Sequence, residues 1–399
     1  MNALLLENIH PRAVAALEQA GISVQCHPKS LAADELTVAL EGVSIFGIRS
    51  RTQITEDILE RAKDLIAVGA FCIGTNQIDL DAASQRGIAV FNAPYSNTRS
   101  VAELVIAEII FLIRRLTDKV AAAHRGVWDK SAEHAREVRG KKLGIVGFGN
   151  IGSQVCTLAE AMGMDVYYYD RVDKLSIGNA TRVHSLHDLL RRVDIVTIHV
   201  DGDPANTNMI GEAEFAIMKD GAILLNLSRG HVVNVDALAR NIRSGKISGA
   251  AVDVFPEEPK AAAEPFRSPL QSLPNVILTP HIGGSTEEAQ ENIADFVSSK
   301  LIDYMKTGST FTSVNFPKIH LPRTDDDQSH RLLHVHRNVP GVLSEINGIF
   351  AKNDVNVLSQ YLRTNELIGY AIADVDRKYK DSLYADLCKV SHTIRVRIV

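Results

Sequence analysis

Cysteine is scarce in this chain, and its four copies stand far apart. Cys26, Cys72, Cys156 and Cys388 form no C-x-x-C pair and no metal-ligand spacing. That excludes a disulfide scaffold, a zinc ribbon and a dithiol redox centre; buried, reduced thiols of a cytoplasmic protein are the expectation, and no metal. Tryptophan occurs once, at Trp128. No apolar run approaches the roughly 20 residues that a membrane helix needs. The first residues, with a strand-like Ala3–Leu6, show neither a basic n-region nor a small-residue cleavage site. An excess of charge is also missing, since 43 Lys and Arg stand against 48 Asp and Glu, a formal net charge of −5. No charge-driven partnership with nucleic acid or a membrane surface is expected. What remains is an ordinary globular composition, 45% hydrophobic and 23% charged over 399 residues, room for about two to three domains.

The most informative stretch follows Gly140. Lys142–Val146 reads as a buried strand, and Gly147-Phe-Gly149-Asn-Ile-Gly152 follows at once. Ile151–Met162 has helical character, and Asp165–Tyr169 reads as the next strand, ending on Asp170. This is one βαβ unit of the dinucleotide-binding kind. The first glycine permits the tight turn, the second lets a pyrophosphate approach the backbone, and the third lets helix and strand pack closely. The helix N-terminus adds unpaired N–H groups and a positive dipole end. Asp170 can bond both hydroxyls of an adenosine ribose and repel a 2′-phosphate, so NAD is expected over NADP; the adjacent Arg171 tempers that preference.

Strand and helix signals alternate from the start. Leu4–Leu6, Ser23–Cys26, Ser44–Ile48, Leu65–Val68 and Ile88–Phe91 read as strands, with helical stretches such as Pro11–Ala20 and Thr55–Lys63 between them. Such alternation means a parallel sheet covered by helices. One long apolar helix is expected over about Ser100–Leu116, then a polar stretch carrying Trp128. Asp194–Val200, Ala222–Asn226, Gly249–Asp253 and Val276–Leu278 complete a six-stranded Rossmann-type sheet. The expected fold class is α/β: a nucleotide domain, residues 99–282, inserted in a flavodoxin-like α/β substrate domain, residues 1–98 and 283–315. The helix near Glu287–Lys306 returns to the latter. Residues 316–328, with two prolines and three consecutive aspartates, read as a linker. Residues 329–399 show a βαββαβ order, a ferredoxin-like α+β domain: strand His330–His336, helix Gly341–Lys352, strands Val355–Leu362 and Leu367–Asp374, helix Tyr379–Val390, strand Thr393–Ile398.

Three segments end strands at the sheet's carboxyl edge, where such folds bind ligands. They are Asn226-Leu-Ser228-Arg229-Gly230, Asp253-Val-Phe-Pro-Glu257-Glu258-Pro259 and Thr279-Pro280-His281-Ile-Gly283-Gly284. Together they supply a guanidinium, a carboxylate and an imidazole. That trio suits reversible hydride transfer at a secondary alcohol beside a carboxylate. His281 exchanges the hydroxyl proton, a glutamate holds the imidazole and favours its protonated form, and Arg229 grips the substrate carboxylate. Glu257 and Glu258 both qualify for the glutamate. Arg49 and Arg51 leave a strand end at i and i+2, hence on one side, as a natural phosphate grip.

These motifs, with Arg49-Ser-Arg51-Thr, Gly74-Thr-Asn-Gln77 and Asn92-Ala-Pro-x-Ser-Asn-Thr-Arg99-Ser-Val-Ala-Glu103, resemble the D-2-hydroxyacid dehydrogenases over nearly the whole chain. The resemblance is to members with a short C-terminal ACT domain. It implies reversible NAD-dependent oxidation of D-3-phosphoglycerate to 3-phosphohydroxypyruvate, the first step of phosphorylated L-serine synthesis, with a possible side activity on 2-oxoglutarate. It implies Arg229, Glu258 and His281 as the catalytic trio, Glu258 being favoured because it directly precedes Pro259. Implied cofactor contacts are Gly147, Gly149, Asn150, Ile151, Gly152, Asp170, His199, Leu227, Ser228, Arg229, Asp253, His281, Ile282, Gly283 and Gly284. Implied substrate contacts are Arg49, Arg51 and, from a neighbouring subunit, Lys130. L-serine is implied as the effector, held in the ACT domain by His336, Asn338 and Asn356, in a cytoplasmic homotetramer. Two positions depart from the pattern. Val339 stands where such modules often have Arg, and Asp201 where many relatives have Pro, altering a loop near the adenine side. Two other readings stay open: a dehydrogenase for an unphosphorylated acid, and a non-catalytic NAD-sensing protein.

Overall fold

The computed structural model describes residues 1–259, 264–321, 329–376 and 382–399. The aspartate run of the expected linker and the start of the expected helix at Tyr379 lie outside the described residues. The chain divides into two compact units, Asn97–Ala289 and the remainder, Met1–Ser96 with Gln290–Val399.

In the second of these, β1 (Asn2–Leu5), α1 (Pro11–Gln19), β2 (Ser23–Cys26), α2 (Ala33–Ala39), β3 (Ile45–Ile48), α3 (Glu56–Arg61), β4 (Ala67–Ala70), α4 (Leu80–Gln85) and β5 (Ala89–Phe91) alternate. The five strands are parallel in the order β2-β1-β3-β4-β5, a flavodoxin-like winding. Local chemistry sets the helix starts. Pro11 occupies the first turn of α1, where its missing N–H costs nothing. The Asp79 side chain accepts the Ala82 N–H at 2.9 Å and caps α4.

Residues 97–289 open with α5 (Thr98–Ile113) and α6 (Leu116–His124). The long helix expected over about Ser100–Leu116 is α5; past Arg115, whose φ is +51°, α6 follows where only a polar stretch was expected. No residue of α6 is buried, so the sequence carries no apolar stripe to mark it. Then follow β6 (Lys142–Val146), α7 (Asn150–Ala161), β7 (Asp165–Tyr169), β8 (Thr181–Arg182), α8 (Leu186–Arg192), β9 (Ile195–Ile198), α9 (Glu212–Ile217), β10 (Ala222–Asn226), α10 (Val235–Arg243), β11 (Ile247–Val252) and β12 (Val276–Leu278). The sheet is parallel in the order β12-β11-β10-β9-β6-β7-β8. It has seven strands rather than the expected six, because the two-residue edge strand β8 is too short to show a pattern. The order reverses at β6, the switch point where doubly wound sheets bind ligands.

The helix α11 (Glu287–Thr307) leads to β13 (Ser329–Arg337), α12 (Val342–Lys352), β14 (Val357–Thr364), β15 (Ile368–Asp376), α13 (Leu383–Cys388) and β16 (Thr393–Ile398). Their antiparallel order is β14-β15-β13-β16. Alternate residues of β13 face opposite ways. Leu332 packs with Val342, Ile346 and Phe350 of α12. Leu333 and Val335 join Tyr304, Phe316 and Tyr370 in a core that also holds Leu5, Ile45 and Phe91 of the flavodoxin-like sheet. The cysteines depart from expectation in part: Cys156 is buried, but Cys26 and Cys388 are exposed. Among the described residues no helix is long and apolar enough to cross a membrane, and no cluster of three metal-ligating side chains occurs.

Candidate active site

The glycine turn sits between β6 and α7. Gly147 has φ +91°, and a Cβ there would overlap the His199 carbonyl oxygen, so only glycine serves. A Cβ on Gly152 would overlap the Gly147 carbonyl oxygen. Gly149 differs: a Cβ there would meet no atom within 4 Å. That open space lies directly before the first turn of α7, which begins at Asn150 and Ile151. An anionic pyrophosphate fits such a cradle. Asp170, just past β7, accepts the Phe148 N–H on Oδ2 and the Val172 N–H on Oδ1, each at 2.8 Å. Its carboxylate is thereby fixed at the glycine turn with lone pairs left for a ribose. His199 ends the neighbouring strand. Its Nε2 pairs with Thr197 Oγ1 at 2.9 Å, its Nδ1 has no partner among the described residues, and burial holds the imidazole neutral, down to about 3.

The strand ends β10, β11 and β12 supply the trio. Past β10, Ser228 donates its Oγ–H and its N–H to Asn226 Oδ1 at 2.7 and 3.1 Å. Asn226 Nδ2 donates to the Arg229 carbonyl at 3.0 Å. Leu227 and Ser228 are buried, whereas Arg229 is half-exposed. Its Nη1 donates to the Ser228 carbonyl at 2.7 Å. Past β11, Asp253 is fully buried and braces the loop after β12. Its Oδ1 accepts the Thr279 hydroxyl at 2.6 Å and the Ile282 N–H at 2.8 Å. Its Oδ2 accepts the Gly283 N–H at 2.8 Å. The backbone so held puts His281 at φ +55°, a conformation that non-glycine residues adopt mainly where the surroundings impose it. Gly284 approaches Asn97.

Of the two candidate glutamates, Glu258 meets the imidazole: Oε2 lies 2.9 Å from His281 Nδ1, while Oε1 accepts the Phe255 N–H at 3.1 Å. Glu257 is exposed. The hydrogen bond to Glu258 raises the His281 pKa, with the Glu258 and Asp253 charges adding to it against burial and the Arg229 charge. Burial alone would lift the Glu258 carboxyl, but the His281 hydrogen bond and charge, the Phe255 N–H and the Arg229 charge bring it below its usual range. With Nδ1 engaged, Nε2 is the nitrogen left to exchange a proton.

In the other unit β3 ends at Ile48, so Arg49 and Arg51 lie in the loop beyond it and the strand alternation no longer dictates their directions. The loop is held by its backbone. Gln77 Nε2 donates to the Arg49 carbonyl at 2.7 Å. The buried Glu7 accepts the Arg51 and Thr52 N–H groups at 3.0 and 2.8 Å. Lys130 lies exposed in the irregular segment after α6. In the C-terminal sheet His336 is buried. Its Nδ1 donates to the Arg337 carbonyl at 2.8 Å, leaving Nε2 without a partner among the described residues. Asn338 and Asn356 are exposed, and Asn338 Nδ2 donates to the Asn365 carbonyl at 2.7 Å.

Two residues escaped the sequence reading. Glu7 carries no local signal, since its partners are some 44 positions away. Glu108 does: it is a lone carboxylate in the apolar run Leu104–Ile113. It is buried, and neither carboxylate oxygen has a partner among the described residues. Burial, then the charge of Asp253, pushes it up to about 8.

Residues 106–283 match the model for the D-isomer specific 2-hydroxyacid dehydrogenase NAD binding domain, and residues 332–395 that for the AHAS small subunit-like ACT domain. The chain is 50% identical to the D-3-phosphoglycerate dehydrogenase of Haemophilus influenzae over 397 residues, covering 99% of this chain and 96% of the relative. It is 48% identical to that of Escherichia coli K12, covering 99% and 97%. The D-lactate dehydrogenase of Aquifex aeolicus, solved with NAD and lactic acid, superimposes with a TM-score of 0.68 at 28% identity, over 79% of this chain and all of that one. The chain therefore belongs to the D-2-hydroxyacid dehydrogenase family, in its D-3-phosphoglycerate dehydrogenase branch.

Proposed function

We propose that the chain carries out NAD-dependent oxidation of D-3-phosphoglycerate to 3-phosphohydroxypyruvate, and the reverse, through Arg229, Glu258 and His281. The observation that carries this assignment is the His281–Glu258 contact of 2.9 Å on a loop braced by buried Asp253. Bound NAD supplies the hydride acceptor. Gly147, Gly149, Gly152 and the start of α7 would hold its pyrophosphate, Asp170 its ribose, with His199, Leu227, Ser228 and Ile282–Gly284 completing the contacts. His281 Nε2 takes the C2 hydroxyl proton as the hydride leaves C2, and returns it in reduction. Glu258 stabilises the resulting imidazolium and fixes the ring, so that the proton moves at Nε2. Arg229 pairs with the substrate carboxylate, a planar match for its guanidinium. These groups together account for roughly the 10²–10⁴-fold that a placed general acid–base contributes.

Arg49 and Arg51 bind the substrate phosphate in this reading, with Lys130 joining from a neighbouring subunit. Glu7 and Gln77 anchor the backbone of that loop, not the guanidinium groups. L-serine acts as the effector at the C-terminal domain, bonded by Asn338, Asn356 and His336, whose free Nε2 is an acceptor. The chain works as a cytoplasmic homotetramer. The test is NADH oxidation with 3-phosphohydroxypyruvate against pyruvate and 2-oxoglutarate, with and without L-serine. A clear preference for the phosphorylated acid, suppressed by serine, is expected. Equal turnover of pyruvate would refute the phosphate assignment, and insensitivity to serine the effector assignment.

A further inference from the structure

Arg171 directly follows the carboxylate that faces the ribose, where a guanidinium ordinarily welcomes the 2′-phosphate of NADP. It is not free to do so. Its Nη2 meets Asp201 Oδ2 at 3.2 Å and its Nη1 meets Asp203 Oδ2 at 3.1 Å. Sheet order makes this possible, since β7 and β9 lie on either side of β6 and their carboxyl-end loops meet across the glycine turn. Both aspartates are set in advance. Asn206, itself buried, donates through Nδ2 to Asp201 Oδ1 at 2.8 Å. The Ala205 N–H donates to Asp203 Oδ1 at 2.9 Å. Each carboxylate thus spends one oxygen on its own loop and presents the other to the guanidinium. Asp170, Asp201 and Asp203 against Arg171 alone leave this corner with two net negative charges.

We propose that Asp201 and Asp203 are specificity-determining residues, which hold Arg171 as their own partner and so keep the site selective for NAD(H) over NADP(H). A 2′-phosphate placed there meets an excess of negative charge and must compete with Asp201 and Asp203 for Arg171. The position where the chain departs from its relatives, Asp201, thereby gains a purpose: it supplies half of the fork that occupies Arg171. The inference rests on Asp170 facing the adenosine ribose.

The test is equilibrium binding of NADH and NADPH to the full chain, followed by cofactor fluorescence at low ionic strength. Asp201→Asn with Asp203→Asn should raise NADPH affinity relative to NADH about tenfold, the worth of one charge-assisted contact. Adding Arg171→Ala to that pair should cut the gain to the part owed to relieved repulsion, and 0.5 M salt should shrink it. Arg171→Ala alone should lower the NADPH-to-NADH ratio, because it uncovers both aspartates. The proposal is overturned if the double variant shows no gain, or if its gain is as large without Arg171 as with it. Asp170→Ala is measured in parallel. Should it leave NADH binding untouched, the placement of the ribose fails; should it weaken NADH while the double variant shows no gain, only the role of the fork fails.

Discussion

Glu108 is a buried carboxylate without a partner among the described residues, and the consequence can be measured. It lies on α5, buried, with both carboxylate oxygens unpaired among the described residues. Burial and the nearby Asp253 charge move it from the ordinary glutamate value near 4.5 to about 8. The folded chain therefore holds a proton there that the unfolded chain has already released. Between those two values the folded state binds more protons than the unfolded state, so stability falls as pH rises, by about 1.4 kcal/mol per pH unit. The loss amounts to about 3 kcal/mol at pH 7 and levels off at about 5 kcal/mol above pH 8. Glu108→Gln keeps the size of the side chain and removes the titration. It should match the parent at pH 5 and exceed it progressively to pH 9. The assay is the difference in urea midpoint between the two proteins across that range, followed by far-UV circular dichroism. A difference that stays flat with pH would refute the reasoning, because it would mean that Glu108 is ionised and paired in the folded protein.

Glu258→Gln should lower the His281 pKa, since its main support is the Glu258 hydrogen bond; the fall in the reduction rate with rising pH should then set in at lower pH, and an unmoved profile would shift the role to Glu257. Arg49→Ala or Arg51→Ala should raise the KM for 3-phosphohydroxypyruvate and spare that for 2-oxoglutarate, if the latter is turned over; equal damage to both would point to a structural role. Asp374→Asn should destabilise the C-terminal domain by about 3–5 kcal/mol. Arg331 makes a buried two-point contact with Asp374 at 2.6 and 2.9 Å and also bonds the Thr307 and Leu321 carbonyls, so the variant removes a buried carboxylate paired with its charge; a thermal midpoint within a degree of the parent would contradict this.

What could be read in advance divides along a physical line. The glycine turn, the strand ends carrying Arg229, Glu258 and His281, and the alternation of both sheets were legible because each depends on neighbours within a few residues. A glycine that tolerates φ +91°, or a proline opening α1, carries its reason in its own chemistry. Short or unburied elements were not legible. No residue of α6 is buried and β8 has two residues, so neither shows a period. The expectation that Arg49 and Arg51 share a strand face also lapsed, because β3 stops at Ile48 and the loop is shaped by Glu7 from another strand's end. The same limit hid the fork around Arg171. Asp201 and Asp203 are some 30 residues further along the chain, and only the reversal of strand order at β6 makes them neighbours. Residues that act across the switch point of a parallel sheet leave no spacing signature, so their pairing shows only once the strand order is known.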